Sequence, residues 1–323
     1  MDLLEIEKLL NKAVENNLEV LNLSNRNMTI LPSNIHRLDK IRKLMLNNNK
    51  LVMPPSEITN LVTLEELTLD SNSLTMLPSG LSQLCNLKFF SICSNPLNYL
   101  TPDLFLLQGL TNLWLAECQL VSIPSEIGHL VNLETVSVRG NRITTVPCDF
   151  SNLVNLRWCC FANNQLDSLP DDFCNLRSLV YLDLSENSFQ SVPECVTKLG
   201  GLLTLLIRSN EISSMCDDSV LALANLNKLD LRDNPIKEKP THWKGLDYIL
   251  VGKTGLDGLD EELSAGCHGD QSEEEESSEE SGETSEESGE VNSQSGETSD
   301  ACEQKEEEEE KYTEHPTSVL TSC

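Results

Sequence analysis

Leu64-Glu65-Glu66-Leu67-Thr68-Leu69-Asp70-Ser71-Asn72-Ser73-Leu74-Thr75-Met76-Leu77-Pro78 decides the fold. Its frame reads L-x-x-L-x-L-x-x-N-x-L followed by x-x-L-P, and apolar Leu81 and Leu84 complete the unit. The frame returns every 23 residues, with its first apolar position at Leu18, Ile41, Leu64, Leu87, Leu110, Leu133, Leu156, Leu179 and Leu202. A tenth unit opens one residue late, at Leu226. A fixed period of this length marks a repeat solenoid, which grows by stacking and needs no second domain to accommodate its length.

Within each unit the L-x-L core alternates apolar and polar, the period of a half-buried strand. Ten parallel strands are predicted, one per unit, about 4.8 Å apart. Asn49, Asn72, Asn95, Asn141, Asn164, Asn187, Asn210 and Asn234 hold the ninth position, where an amide can serve backbone groups that the turn leaves unpaired. Arg26 and Cys118 interrupt this ladder. The Leu-Pro pair (Leu31-Pro32, Leu77-Pro78, Leu169-Pro170) opens an outer segment, because proline fixes φ and bars a further strand. A short helical turn then returns to the next leucine. Strands are narrower than outer segments, so the predicted fold is a right-handed, curved α/β solenoid with a parallel concave sheet.

Residues 1–17 are predicted to form an N-terminal helical cap, with Leu3, Ile6, Leu10 and Val14 on one face and Asp2 and Glu5 placed as a capping box. The repeats fill 18–240. Residues 241–263 form a C-terminal cap in which Trp243, Leu246 and Ile249 or Leu250 seal the core. Residues 264–323 lose all apolar periodicity, and their Ser, Gly, Glu and Thr content predicts disorder.

The formal charge is −29, and the tail from Ser264 carries 20 acidic and 2 basic residues. Such a balance argues against direct nucleic-acid binding, which needs a basic stripe. The 12 cysteines are scattered or sit at core positions, and none precedes Cys85. The first residues carry no basic, apolar leader, and no run approaches the roughly 18 apolar residues of a membrane span. Reduced thiols and a cytoplasmic location follow, with the nucleus as a second site; the sequons at Asn22 and Asn27 then stay unused.

No constellation for catalysis or metal binding is legible. Gly252-Lys253-Thr254 hints at a phosphate loop, yet Asp247 stands where that loop needs glycine. The histidines are far apart, and Cys159-Cys160 is adjacent rather than C-x-x-C. No cofactor is expected. The informative positions are the polar-face ones on the strands. Phe89, Trp114, Trp158 and Tyr181 fall there, whereas the other six Phe fall on core positions. Arg139, Arg157 and Arg208 share that face. Interface anchors are enriched in Trp, Tyr and Arg, so these seven residues are the candidate partner-binding set, for a protein rather than a small molecule. Glu65, Glu66, Asp70, Glu117 and Glu134 are candidate selectors of basic spots on a partner. In the tail, Ser272, Ser277 and Thr284 precede acidic residues at the spacing an acidophilic kinase reads.

The 23-residue unit with Leu-Pro after the Asn turn, and Asn25-Arg26-Asn27-Met28-Thr29-Ile30-Leu31-Pro32 in the first repeat, resembles the intracellular Ras-group leucine-rich repeat family. Thr101 and Cys216, where proline is expected, and the extra residue before Leu226 depart from its pattern. The resemblance implies a non-enzymatic signalling scaffold that binds a small GTPase or a phosphatase subunit on its concave face. The acidic tail also resembles that of acidic leucine-rich nuclear phosphoproteins, which implies the alternative of a histone or basic-protein chaperone or phosphatase inhibitor. Those proteins have a shorter array and a more continuous acidic run.

Overall fold

The computed structural model describes residues 3–53, 56–236 and 239–254. They form one sheet of parallel strands in sequence order: β1 Val20–Asn22, β2 Lys43–Met45, β3 Glu66–Thr68, β4 Phe89–Ser91, β5 Asn112–Trp114, β6 Thr135–Ser137, β7 Trp158–Cys160, β8 Tyr181–Asp183, β9 Thr204–Leu206, β10 Lys228–Asp230 and β11 Ile249–Leu250. The fold is a leucine-rich repeat solenoid with an open, curved sheet. Equivalent repeat positions pair without slip, as in Leu67↔Phe90 and Leu113↔Val136. The frame leucines are buried along the whole array, together with Phe90, Phe105, Phe150, Phe161, Phe173 and Phe189.

The strands are short for a local reason. At the eighth position of every unit from Asn25 to Asp233 the backbone is left-handed, with φ between 52° and 68°. Asn, Ser, Asp and Gly fill most of these places, and short polar side chains and glycine tolerate that conformation best. The ninth residue then points inward. Asn72 donates from Nδ2 to the carbonyls of Leu46, Leu69 and Asp70 at 3.0, 2.9 and 3.2 Å, and its Oδ1 accepts from the Leu51 N–H at 3.1 Å. One amide thus ties each repeat to the one before it.

Cys118 is the exception that shows what the amide does. Its thiol lies 3.3 and 3.4 Å from the Ile92 and Ala116 carbonyls, so sulfur substitutes for the donor. Nothing substitutes for Oδ1, and the Leu97 N–H turns to the Asn95 carbonyl instead. The residue after the exception also goes left-handed, Gln119 at φ 59° and, after Arg26, Asn27 at φ 54°. Cys118→Asn is therefore expected to stabilise the array by about 1 kcal/mol, a net hydrogen bond. Thermal melting checks this, and a lower midpoint would show that the local backbone has adapted to the thiol.

The outer segments follow extended prolines such as Pro124 and Pro147 and form single 3-10 turns. Where Thr101 replaces proline the turn still starts, because Pro102 takes its first position. After Cys216 the outer segment lengthens into helix α3, Asp217–Ala222, beyond the shorter helix α2, Glu194–Thr197. At the N-terminus, helix α1, Leu3–Glu15, buries Ile6, Leu10 and Ala13, with Leu9 and Val14 only partly covered. Ala13 joins Ile6 and Leu10 of the expected stripe in the buried face, while Val14 is only partly covered.

The sheet has an eleventh strand. Ile249–Leu250 pairs with β10, while Trp243, only 1% exposed, plugs the end of the core beneath it. Leu246-x-x-Ile249-x-Val251 repeats the frame 20 residues after Leu226, too early for the 23-residue count.

Candidate interaction surface on the concave sheet

Sheet register sets which concave side chains meet. Phe89, Asn112, Thr135, Trp158 and Tyr181 form one row across β4–β8, and Ser91, Trp114, Ser137, Cys160 and Asp183 the next. Trp114 and Trp158 stand in different rows with β6 between them, so their backbones are about 11–12 Å apart, two strand spacings across and two residues along. Their ring centroids are nevertheless only 5.3 Å apart, tilted by 43°. The indoles lean together over β6, where Thr135 and Ser137 are small enough to be roofed; Ser137 is 3% exposed. On the far side Trp158 stacks on Tyr181, with centroids at 5.2 Å and planes within 8°. Pairs of this kind add about 0.5–1.5 kcal/mol beyond area burial. Phe89 is half-buried on the same face and makes no ring contact among the described residues.

The three arginines flank this stack. Arg139 is half-buried and Arg157 exposed, and among the described residues neither makes an ion pair. Arg208 reaches Glu186 only at 4.0 Å. Beneath the rings lies Asp183, whose burial the sequence reading missed. Its Oδ1 accepts from the Ser185 N–H at 2.9 Å, and the Cys160 thiol is 3.8 Å from Oδ2. Burial pushes the Asp183 carboxyl above the ordinary aspartate range, against the Ser185 bonds and the fields of Arg139 and Arg208. Burial likewise pushes up the Tyr181 hydroxyl and the Cys160 thiol, with Asp183 adding to both. Cys160 occupies a polar-face position yet is buried, because the ring stack covers it.

The carboxylates expected to select basic spots are mostly occupied. Glu65 accepts from Arg42 Nε at 2.8 Å and from Lys88 Nζ at 3.0 Å, bonds that hold its pKa below the usual carboxylate range. Arg42 also faces Glu19 at 3.8 Å, and Lys43 meets Glu66 at 2.8 Å. Asp70 accepts from the Ser91 hydroxyl at 2.5 Å and the Cys93 N–H at 2.7 Å, while its burial raises its pKa. Glu117 accepts from the Ser94 hydroxyl at 2.8 Å. Only Glu134 of that set is exposed with no such bond among the described residues.

Elsewhere, Thr254 donates to Asp233, so the end of the Gly252-Lys253-Thr254 stretch is tied to the last full repeat. The described cysteines, including Cys118 and Cys159, are free thiols. No group of His, Cys, Asp and Glu among the described residues is placed to hold a metal ion, and no described helix is long and apolar enough to cross a membrane. Ser272, Ser277 and Thr284 lie outside the described residues.

A leucine-rich repeat family model matches residues 131–189. Among solved structures, a leucine-rich repeat protein of Leptospira interrogans is 31% identical over 72% of this chain, with a TM-score of 0.67. The ectodomain of the Arabidopsis thaliana receptor kinase GASSHO1/SCHENGEN3, solved with CASPARIAN STRIP INTEGRITY FACTOR 2, is 30% identical over 72%, with a TM-score of 0.61. TLR13, solved with ssRNA13, is 25% identical over 79%, with a TM-score of 0.64. The chain spans 59%, 29% and 38% of these structures, respectively. No curated protein matches the chain. Repeat frame, fold and likeness agree that this is a leucine-rich repeat protein.

Proposed function

We propose that the protein is a non-enzymatic interaction scaffold that docks a protein partner on the concave sheet over β5–β9. The observation that carries this reading is the Trp114–Trp158–Tyr181 cluster, beside which Arg139 and Arg157 make no ion pair among the described residues. Large rings on an open face, in a chain that hides its other described tryptophan and six phenylalanines, fit anchor residues at the centre of an interface. The comparison structures with a bound macromolecule support a binding role for the array. The described parts of 1–17 and 241–263, residues 3–17 and 241–254, act as caps of the repeats at 18–240; residues 255–263 lie outside the described residues. The tail from residue 264 is an acidic solubilising or phosphorylated segment, with Ser272, Ser277 and Thr284 as its acceptor sites. The role is cytoplasmic or nuclear signalling, with a small GTPase or a phosphatase subunit as the partner implied by the Ras-group pattern.

The test is a pull-down or proximity-labelling inventory with the full chain and with Trp114→Ala/Trp158→Ala. Partners recovered by the wild type are expected to be lost from the variant, with circular dichroism unchanged. Undiminished recovery rejects the site.

A further inference from the structure

We infer that the concave docking face is built for an acidic protein segment carrying aromatic or aliphatic anchors; this rests on the reading that β5–β9 are where a partner docks. The charge distribution carries it. Over β1–β4 the concave cations Arg42, Lys43 and Lys88 are consumed by Glu19, Glu65 and Glu66 in a ladder running from strand to strand. That end offers a partner a neutralised surface. Beside the ring stack the arrangement is opposite. Arg139 and Arg157 lie on the two sides of Trp158, seven and two places into their repeats, with no carboxylate among the described residues within ion-pair distance. Arg208 is held only loosely by Glu186. The carboxyl of Asp183, beneath the rings, is buried and accepts from the Ser185 N–H, so it is not presented at the surface.

A second observation points the same way. The indole N–H of Trp114 is buried without an acceptor among the described residues. A desolvated donor of this kind is costly to leave unmade, and a small outward swing of the ring would hand it to a carboxylate or carbonyl of an incoming segment. The surface therefore presents guanidinium and indole donors on either side of an apolar ridge. A partner presenting carboxylates on either side of an aromatic or aliphatic residue satisfies both.

Single-stranded nucleic acid is the other anionic ligand with flat apolar groups, and the geometry disfavours it. Bases bind single-strand readers by stacking on aromatic faces along a basic track. Here the rings are closed on one another at 5.2 and 5.3 Å, which leaves no gap for a base, and the free cations flank the ridge without forming a track.

The full chain, fluorescently labelled, is titrated with a random glutamate–tyrosine copolymer, a lysine–tyrosine copolymer and an oligouridylate at physiological salt. The glutamate–tyrosine copolymer is expected to bind despite the chain's formal charge of −29. Binding is expected to weaken on the order of tenfold in Arg139→Gln/Arg157→Gln and further in Arg139→Glu/Arg157→Glu, with unchanged circular dichroism. No binding of that copolymer, or binding by both arginine variants equal to that of the wild type, overturns the inference. So does lysine–tyrosine binding that falls in Trp158→Ala, an outcome that leaves the docking face itself intact. Oligouridylate binding with the same dependence on Trp158 and the arginines overturns it in favour of a nucleic-acid ligand. If Trp158→Ala changes binding of no probe and no cellular partner, the docking face fails as well.

Discussion

Asn164→Ala is expected to lower stability by about 3 kcal/mol or more, although the side chain touches no surface and takes part in no proposed contact. Asn164 Nδ2 donates to the carbonyls of Val138, Phe161 and Ala162 at 3.0, 2.9 and 3.3 Å, and Oδ1 accepts from the Ile143 N–H at 3.1 Å. Truncation leaves buried acceptors and one buried donor with no water to replace the amide. Each orphaned buried group costs about 1–3 kcal/mol, and these costs add less than linearly because the turn relaxes. At about 2–4 °C per kcal/mol for a folded unit of this size, the melting point should fall by roughly 6–12 °C. Asn164→Cys should fall between wild type and Ala, because Cys118 shows that a thiol in this niche reaches carbonyls. The ladder sits between repeats, so the melt should also broaden as the array uncouples into two blocks. A shift below a degree, or a Cys variant less stable than Ala, would show that the Asn ladder is not what joins the repeats.

Much of this was legible from the residues, and the illegible parts share a physical cause. Frame leucines, Asn turns and Leu-Pro outer segments are local and periodic, so spacing alone places them. Strand β11 escaped because its unit is only 20 residues long, and Leu246-x-x-Ile249-x-Val251 is visible only once the fixed count is abandoned. On the concave face the sequence assigned Phe89, Trp114, Trp158 and Tyr181 to one wall. It did not show that Trp114 reaches Trp158 across a strand while Phe89 meets no ring. That depends on the small Thr135 and Ser137 beneath the indoles, a property of neighbours 21 to 23 residues away. The same roof explains why Cys160 and Asp183, polar-face residues by register, are buried. The carboxylates Glu65 and Glu66 looked available to a partner because charge pairing between strands is not local. Yet Glu19, Arg42, Glu65 and Lys88 alternate in sign at the second position of successive repeats, and that period could have revealed the ladder.

Arg232→Ala is expected to cost about 3–5 kcal/mol, the penalty for breaking a buried ion pair by removing one partner. The Arg232 and Asp230 side chains are 4% and 3% exposed. The guanidinium meets the carboxylate with both prongs, Nε to Oδ1 at 2.8 Å and Nη2 to Oδ2 at 2.6 Å, and the Arg232 N–H adds a bond to Oδ1 at 3.2 Å. Alanine strands the Asp230 carboxylate where burial has removed its water. Replacing both partners with apolar residues of similar size, Asp230→Leu/Arg232→Met, should recover much of the loss, since a buried pair adds little beyond cancelling its own desolvation. The damage should also be local. Strand β10 carries the pair and holds β11 through Leu229↔Ile249 and Asp230↔Leu250. Hydrogen exchange in Arg232→Ala should therefore accelerate at Leu231, whose N–H bonds the Leu250 carbonyl, and at Asp233, bonded to Gly252, long before Leu67 or Leu113 responds. Uniform acceleration along the array would mean that the last repeats are not an independent end but part of one cooperative unit. Unchanged exchange at Leu231 would mean that the pair does not hold the cap.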